Sequence, residues 1–410
     1  MAMSYKLLFL DQFGTLGGAQ RVLLETLNSL DPAQYQSMVA LGSDGDLRER
    51  LLSDGIAVRN LPLGNYHSGR KTLLDIGRFF FRSLYCALVL TGWVIRHRPS
   101  LLFANGPRTF ISATLAGWLT HRPVIWHLHN VLPQGVELSL LALFSRWVQT
   151  IVVCSQAAAQ PLLERKPSLQ PKIKLIYNPV PRLTQPTTDE VDNLRRCFRV
   201  RPEEVCIGIL GRVTPFKGQW SFLQAARLVL QQTQQVRFFV IGSPTSDKVD
   251  QEYYNQLRLF VAQLGMKNSV CFVEHQREVE GYLAMMEVVV VASEGPEAFP
   301  QTIIEAMSMG KAVIAPASGG IVEIIEDGKT GLLAAVDEPN KFAAAMLKLI
   351  HAPDIRKVLG RSAQERILGQ DLRKKFVEAI QSTLKSCLAQ EGIERTPASP
   401  EGVSMKGAIP

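Results

Sequence analysis

Two glutamates have the residue type and spacing best suited to binding a polar ligand. Glu297 and Glu305 stand eight residues apart in the stretch SEGPEAFPQTIIEAMSMG at 293–310. The apolar run VVVV at 288–291 predicts a buried parallel strand before this stretch, and the pattern from Gln301 onward predicts a helix. Carboxylates only accept hydrogen bonds, so each can hold a vicinal diol, while a helix N-terminus offers N–H groups to a phosphate or a hydroxyl-rich ligand. Taken alone, such a pair is more often a surface feature of a helix.

Two cations follow another predicted strand. The run VCIGIL at 205–210 is typical of a buried strand, and Arg212 and Lys217 come after its carboxyl end. Arg212 can hold phosphate oxygens as a planar fork, and Lys217 can do so as a movable point charge. The alternative is that both are solvated surface cations.

Seven stretches of the chain form an ordered set. They are GGAQRVL at 17–23, WHLHN at 126–130, IYNPV at 176–180, GRVTPFKG at 211–218, FFVIGSP at 238–244, EAFPQTIIEAM at 297–307 and SGGIVEIIEDGKTGLL at 318–333. In order and spacing, this set resembles the retaining nucleotide-sugar glycosyltransferases of glycosyltransferase family 4, which have the GT-B fold, over about residues 5–380. Each stretch alone is a weak signal, whereas the ordered set is specific.

The resemblance implies a retaining, metal-independent transfer of a hexose from a nucleotide diphosphate sugar. It favours a UDP-sugar, with GDP-mannose as the other candidate, and a lipid-linked or polysaccharide acceptor in cell-surface glycan biosynthesis. No covalent nucleophile is implied, because the departing phosphate helps to take the acceptor's proton and the protein supplies positioning and electrostatics. No cofactor is expected.

The resemblance also assigns roles to residues. Glu305 would hold the ribose hydroxyls and Glu297 the hexose hydroxyls or developing charge, while Arg212 and Lys217 would hold the diphosphate. At the loop after the strand predicted at 124–126, His129 is preferred over His127 as the contact to the donor's sugar or diphosphate, although both are expected to reach the cleft. The expected catalytic residues are Glu297, His129, Arg212 and Lys217. The expected donor-binding residues are Gly17, Gly18, Arg212, Lys217, Glu274, His275, Glu297, Phe299, Pro300, Gln301, Thr302 and Glu305.

One position departs from the family pattern. The family commonly has glycine where this chain has Pro300. Proline has no N–H, so a backbone donor to the hexose is missing there, and the amides of Gln301 and Thr302 remain. The identity of the sugar is therefore less defined than the fold.

The repeated order of strand and then helix predicts an α/β chain with two doubly wound domains. The expected organisation is an N-terminal Rossmann-like acceptor-binding domain at 1–180, a linker at 181–200, a C-terminal Rossmann-like nucleotide-sugar-binding domain at 201–365, a helix at 366–389 that returns to the first domain, and a disordered tail at 390–410. The length of 410 residues with 46% apolar content is sufficient for two cores. The six cysteines show no metal-ligand spacing, so no metal site is indicated.

The formal net charge of +8 lies entirely in the N-terminal half. Residues 1–180 contain 18 Lys and Arg against 10 Asp and Glu, whereas residues 181–410 contain 27 of each kind. The first half should therefore face something anionic. No nucleic-acid-binding module is recognisable, so a membrane surface or a phosphate-bearing acceptor fits better than nucleic acid.

The segment at 70–98 is basic and aromatic. Its uncharged run at 83–95 has 13 residues, short of the roughly 20 needed to cross a bilayer, so a transmembrane helix is not expected. A helix of this composition can lie in the membrane interface, and a plain core helix remains the alternative. The six cations are Arg70, Lys71, Arg78, Arg82, Arg96 and Arg98.

The sequence also bears on where the protein is located, and it leaves two alternative functions open. Because no signal-peptide pattern is visible at the N-terminus, the protein is expected in the cytoplasm, including the inner face of the plasma membrane. A sugar-nucleotide 2-epimerase of the same fold is one alternative, and a non-catalytic nucleotide-sugar-binding protein is the other. The sequence leaves the oligomeric state open.

Overall fold

The computed structural model describes residues 3–64, 73–276, 278–390 and 396–397. These residues form two compact units. Unit 1 comprises Met1–Pro179 together with Lys374–Pro410, and unit 2 comprises Val180–Arg373.

Unit 1 is built on a parallel sheet with strand order β3-β2-β1-β4-β5-β6-β7. Apolar side chains on both faces of these strands let helices cover both sides, as a parallel sheet requires. The strands are β1 Met3–Asp11, β2 Tyr35–Leu41, β3 Ala57–Asn60, β4 Leu101–Asn105, β5 Val124–Leu128, β6 Thr150–Val153 and β7 Ile173–Leu175. The helices are α1 Gly18–Asn28, α2 Asp46–Ser53, α3 Leu73–His97, α4 Pro107–Thr120, α5 Val136–Phe144 and α6 Gln156–Arg165.

Unit 2 has a second parallel sheet with order β10-β9-β8-β11-β12-β13. The chain order reverses between β8 and β11, and a ligand of a doubly wound sheet binds outside the carboxyl ends of the strands at such a reversal. The strands are β8 Val205–Leu210, β9 Val236–Ile241, β10 Val270–Val273, β11 Val288–Val290, β12 Ala312–Ala315 and β13 Leu332–Leu333. The helices are α7 Thr188–Cys197, α8 Gln219–Leu230, α9 Lys248–Gln263, α10 Glu280–Met285, α11 Gln301–Ser308, α12 Ile321–Ile324, α13 Pro339–His351 and α14 Pro353–Gly369. The predicted class, α/β with two doubly wound sheets, is confirmed.

The last long helix, α15 Leu372–Gln390, packs into the core of unit 1. Phe376, Ile380 and Leu384 are buried in the cluster formed by β1, β2 and α1. The Gln381 side chain donates to the Ser29 carbonyl at 2.6 Å. A two-residue strand, β14 Thr396–Pro397, pairs antiparallel with β1. The tail was predicted at 390–410; its first residue, Gln390, is the last residue of α15, and the remaining residues other than Thr396 and Pro397 lie outside the described part of the chain.

Residues 181–200, predicted as a linker, lie within unit 2. They contain helix α7, whose start is fixed by a capping box: Thr187 accepts from the Glu190 amide, and the Glu190 carboxylate accepts from the Thr187 amide. Helix α7 packs against α10. The stretch therefore contains a folded helix of unit 2.

Helix α3 has one buried face and one exposed apolar face. Ser83, Cys86, Ala87, Leu90 and Val94 are buried, and the helix packs along α4. The uncharged run at 83–95, from which a transmembrane helix was not expected, is only part of this helix: Leu74–His97 is long and apolar enough to cross a membrane by length and composition alone, and only 28% of its most apolar window is buried. Arg70 and Lys71, which belong to the predicted basic segment, lie outside the described residues.

Candidate functional site

The loop between β11 and α11 carries the first glutamate of the predicted site. Pro300 is the N-cap residue of α11, so the helix begins at Gln301 as predicted. Ile303, Ile304 and Met307 are buried and fix the helix against the sheet, as the period of the sequence indicates.

Glu297 pairs directly with Lys217 at the point where the strand order reverses. Lys217 Nζ lies 2.8 Å from Glu297 Oε1, and the side chains are 25% and 10% exposed respectively. The Ser293 hydroxyl donates to the same carboxylate oxygen. The resemblance assigned Lys217 to the diphosphate and Glu297 to the hexose hydroxyls or developing charge, and the structure shows the two side chains in direct contact.

Close backbone contacts join the two loops that carry this ion pair. Lys217 ends the 3-10 turn Pro215–Lys217, and the Glu294 amide donates to the Phe216 carbonyl at 2.9 Å. Gly218 has φ +68°, and a Cβ there would lie 1.8 Å from the Ala292 carbonyl oxygen. Only glycine fits this position, because the left-handed backbone and the close approach both exclude a side chain.

The motif SGG at 318–320 fixes the backbone of Glu297. The Gly320 amide donates to the Glu297 carbonyl at 2.7 Å. A Cβ on Gly319, which has φ +58°, would lie 2.2 Å from that same carbonyl oxygen. Glycine here therefore lets one loop hold the other at short range.

The second glutamate and its neighbours lie at the start of α11. Glu305 is 6% exposed, and Phe299 is also buried. Pro300 is buried, whereas Gln301 and Thr302 are half-buried in the first turn of the helix. All five predicted residues therefore lie on one short segment, with Glu305 about one turn beyond the helix start.

The remaining predicted residues of unit 2 lie on neighbouring loops. Arg212 is exposed just after β8, and its carbonyl accepts from the Gln219 side chain at 3.0 Å. Glu274 and His275 are exposed after β10. The His275 amide already donates to the Ser243 hydroxyl at 2.9 Å, which makes it a poor donor to a nucleobase.

In unit 1, the carboxyl edge of the sheet holds a buried polar network. His129 Nε2 lies 2.7 Å from Asn105 Oδ1, and Asn105 Nδ2 donates to Asp11 Oδ2 at 2.5 Å. His129 follows β5 and is partly exposed. His127 lies within β5 and is fully buried, so the expectation that both histidines reach the cleft is wrong for His127, because the strand extends two residues further than predicted.

Burial shifts the pKa values of the titratable side chains in this network. Desolvation raises the pKa of Asp11 to about 6, against hydrogen bonds from Asn105, Phe13 and Gln20 that lower it. Desolvation lowers the pKa of His129 to about 3. It also holds the pKa of His127 well below its usual value, with His129 adding to the effect. Both imidazoles are therefore neutral at physiological pH.

The glycines predicted at the start of unit 1 lie at a helix N-terminus. Gly17 is the N-cap of α1 in an extended conformation, and its carbonyl accepts from the Arg21 amide at 3.0 Å. Gly18, the first residue of the helix, is exposed. Both glycines leave backbone open to a ligand, and their predicted role on the donor stays a prediction.

Two family descriptions match this chain, one on each half. Residues 16–182 match the family described as Glycosyltransferase Family 4, and residues 191–366 match Glycosyl transferases group 1. The chain belongs to the family 4-like glycosyltransferases.

Curated relatives of this glycosyltransferase family member match at modest identity. Spore coat protein SA of Bacillus subtilis is 26% identical over 355 residues, 84% of this chain and 88% of the relative. The trehalose synthase of Pyrococcus horikoshii is 29% identical over 202 residues, 48% of each chain. The D-inositol 3-phosphate glycosyltransferase of Corynebacterium urealyticum is 26% identical over 53% of this chain and 52% of the relative. This chain spans about half the length of the last two.

Solved structures share the fold. HepE of Anabaena in complex with UDP-glucose superimposes with a TM-score of 0.80 at 24% identity, over 93% of this chain and 99% of that one. The sucrose-phosphate synthase of Thermosynechococcus elongatus gives a TM-score of 0.75 at 16% identity, over 94% of this chain and all of that one. The GT-B fold of this family member is thereby confirmed.

Sequence reasoning missed three polar residues of this family member. Ser293 is the second residue after the apolar run at 288–291, while Asp11 and Asn105 are the last residues of β1 and β4. The available signal for Asp11 and Asn105 was a polar residue directly after a short apolar run, as in LFLD and LFAN. The described residues hold no group of three or more potential metal ligands.

Proposed function

We propose that this protein transfers a hexose from a nucleotide diphosphate sugar to a glycan acceptor with retention of anomeric configuration and without a metal ion. The observation that carries the proposal is the contact of Lys217 with Glu297 at the strand-order reversal of unit 2. A cation for phosphate and a carboxylate for hydroxyl groups lie side by side where such a sheet binds its ligand.

In the proposed reaction, the cations of the site bind the diphosphate and the carboxylates bind hydroxyl groups. Arg212 and Lys217 hold the diphosphate, whose negative charge grows as the bond between the anomeric carbon and the phosphate oxygen breaks. A bond then forms from the acceptor oxygen to the same face of that carbon, and the acceptor's proton passes to the departing phosphate. Glu297 holds the hexose hydroxyls and Glu305 those of the ribose, so the protein's contribution is positioning and electrostatic stabilisation.

A UDP-sugar is the favoured donor and GDP-mannose the other candidate. Support for UDP comes from HepE, whose structures contain UDP and UDP-glucose. The acceptor is proposed to be a lipid-linked sugar or polysaccharide of the cell surface, in line with a lipopolysaccharide 1,2-N-acetylglucosaminetransferase of Salmonella typhimurium, 28% identical over 34% of this chain and 37% of that protein.

The proposed location is the cytoplasm, at the inner face of the plasma membrane, with α3 as the contact. Its exposed apolar residues repeat at intervals of three, four or seven and therefore lie on one face of the helix. Arg78, Arg82 and Arg96 are exposed beside this face, where anionic lipid headgroups would meet them. The exposed apolar residues are Leu74, Phe81, Tyr85, Leu88 and Ile95.

A panel of labelled UDP- and GDP-sugars tests the proposal. Purified protein is incubated with each donor, with and without a membrane extract as acceptor, and free nucleoside diphosphate is measured. Release that depends on the acceptor supports transfer. Epimerisation of the sugar without an acceptor, or binding without turnover of any donor, contradicts it.

A further inference from the structure

The two oxygens of the Glu297 carboxylate differ in their contacts. Lys217 Nζ lies 2.8 Å from Oε1, and the Ser293 hydroxyl donates to the same oxygen. A carboxylate oxygen only accepts hydrogen bonds, so the hydroxyl proton of Ser293 points at Oε1. Lys217 follows β8 and Ser293 follows β11. Oε1 is therefore shared by a cation and a hydroxyl group that come from two neighbouring strands.

The second oxygen, Oε2, is left for a ligand. It has no hydrogen-bond partner among the residues that the structure describes. It is also not one of the buried polar atoms that lack a partner, so Oε2 is accessible at the surface of unit 2. A hydroxyl-rich ligand can reach this oxygen without displacing Ser293 or Lys217.

The backbone on both sides of Ser293 is fixed. The Val291 amide donates to the Ile314 carbonyl at 2.9 Å, which extends the pairing of β11 with β12 to two residues before Ser293. The Glu294 amide donates to the Phe216 carbonyl at 2.9 Å. Ser293 itself is only 2% exposed, so its hydroxyl group is shielded from water. A hydroxyl group on such a rigid segment holds its partner at a defined position.

The hold of Lys217 on Glu297 is of a different kind. A lysine carries a point charge on a flexible four-carbon chain, and this side chain is 25% exposed. A diphosphate carries more negative charge than one carboxylate, so it attracts the ammonium group more strongly at the same distance. When Lys217 turns to a diphosphate, Ser293 is the one side chain of the described residues that still bonds to Glu297.

We propose that Ser293 is a positioning residue that keeps Glu297 in place when Lys217 turns to the diphosphate, so that Oε2 stays directed at a hydroxyl group of the hexose. The identity of the two ligand groups rests on the proposed function, whereas the hold of Ser293 on Glu297 does not. With alanine at position 293, the carboxylate would follow Lys217 or turn to solvent. Either movement takes Oε2 away from the hexose.

Crystal structures of unliganded variants of the full-length protein test this hold without any substrate. Lys217→Met removes the cation, as its movement to a diphosphate would. In this variant, Glu297 Oε1 should stay within hydrogen-bond distance of the Ser293 hydroxyl. In Lys217→Met combined with Ser293→Ala, the carboxylate should leave that position.

Two crystallographic results overturn the proposal. One is a carboxylate that leaves Ser293 in Lys217→Met, and the other is a carboxylate that keeps its position in the double variant. If the double variant does not fold, the structure of Lys217→Met decides alone, because Ser293 is the remaining partner of Oε1 in it.

Kinetics on the donor that the panel identifies then test what the hold contributes to turnover. Ser293→Ala should lower kcat about fivefold, as expected for one lost hydrogen bond. Ser293→Thr keeps the hydroxyl group and should restore kcat. Ser308→Ala is the matched control, because the hydroxyl of this buried serine on α11 donates to the Glu305 backbone carbonyl at 2.8 Å and not to a carboxylate.

The effect of Ser293 on turnover should depend on Glu297. In the Glu297→Ala background, Ser293→Ala should lower kcat no further, because a positioning residue acts only through the side chain that it holds. An equal further loss in that background, or a kcat for Ser293→Ala that matches Ser308→Ala, overturns the proposal. Absence of any turnover in wild type contradicts the proposed function, and the crystal structures then still decide whether Ser293 holds Glu297.

Discussion

Replacing Glu297 by glutamine separates binding of the diphosphate from turnover. In the structure, Lys217 Nζ lies 2.8 Å from Glu297 Oε1, so Lys217 must leave or share this carboxylate when a diphosphate enters. Glutamine keeps the shape and an oxygen for the Ser293 hydroxyl, but it removes the charge. We therefore expect Glu297→Gln to bind free nucleoside diphosphate more tightly while turning over the sugar donor more slowly.

The magnitude follows from the strength of charged hydrogen bonds. A bond to a charged group is worth about 1.5–3 kcal/mol and a neutral one about 0.5–1.5 kcal/mol. Removing the charge of Glu297 thus weakens its hydrogen bond with Lys217, which competes with the diphosphate for Lys217, by about 1 kcal/mol. This corresponds to roughly fivefold tighter binding of the diphosphate. Turnover should fall about fivefold or more, because the hexose hydroxyls lose a charged acceptor and a hydrogen bond to them weakens by about the same 1 kcal/mol.

Calorimetric titration of UDP or GDP, whichever the donor panel selects, measures the affinity, and initial rates measure turnover. Lys217→Met is the matched variant and should weaken binding. The double variant gives the coupling between the two side chains, which is non-zero for residues in contact. Equal weakening of diphosphate binding by Glu297→Gln and Lys217→Met, or strict additivity in the double variant, would refute this account of the ion pair.

Four further outcomes are expected. Glu305→Ala should weaken donor binding about ten- to hundredfold through lost ribose contacts, and an unchanged dissociation constant in the folded variant would remove Glu305 from the site. Arg212→Ala should lower turnover about 100- to 1000-fold with little effect on binding of the free nucleoside, and near-normal turnover would place the phosphates elsewhere. The protein should float with anionic vesicles at low salt, and this membrane binding should weaken as the salt concentration rises. Leu88→Gln and Arg78→Gln should reduce the binding, whereas Leu259→Gln, at an exposed leucine of unit 2, is the control and should not. If the protein stays soluble, α3 is an ordinary surface helix. The pKa of Asp11 is raised from 3.8 to about 6. The contribution of Asp11 to stability is therefore fully present below about pH 4 and is lost as the pH rises through 6. The difference in unfolding free energy between wild type and Asp11→Asn should shift by about 3 kcal/mol across this window, and a difference that does not change with pH would mean that Asp11 is not desolvated.

Much of the local structure was predictable because it depends on neighbours in sequence. Uniformly apolar runs such as 205–210 and 288–291 predicted buried parallel strands, and the structure contains β8 and β11 there. The start of α11 at Gln301 followed from the helical period of the apolar residues. Errors arose at element ends, as with β5, where two extra residues bury His127. Local patterns define such ends poorly.

By itself, the sequence determined the fold class, the succession of strands and helices, and the residue types at the ends of the strands, because apolar periodicity and backbone preferences act over short stretches of chain. Only the tertiary structure decided which of these ends meet. Lys217 and Glu297 lie 80 residues apart, and Asp11 and Asn105 lie 94 apart. Each pair forms because β8 is neighbour to β11 and β1 is neighbour to β4. Strand order is a property of the whole sheet, set by how all its helices and strands pack, and no local pattern encodes it.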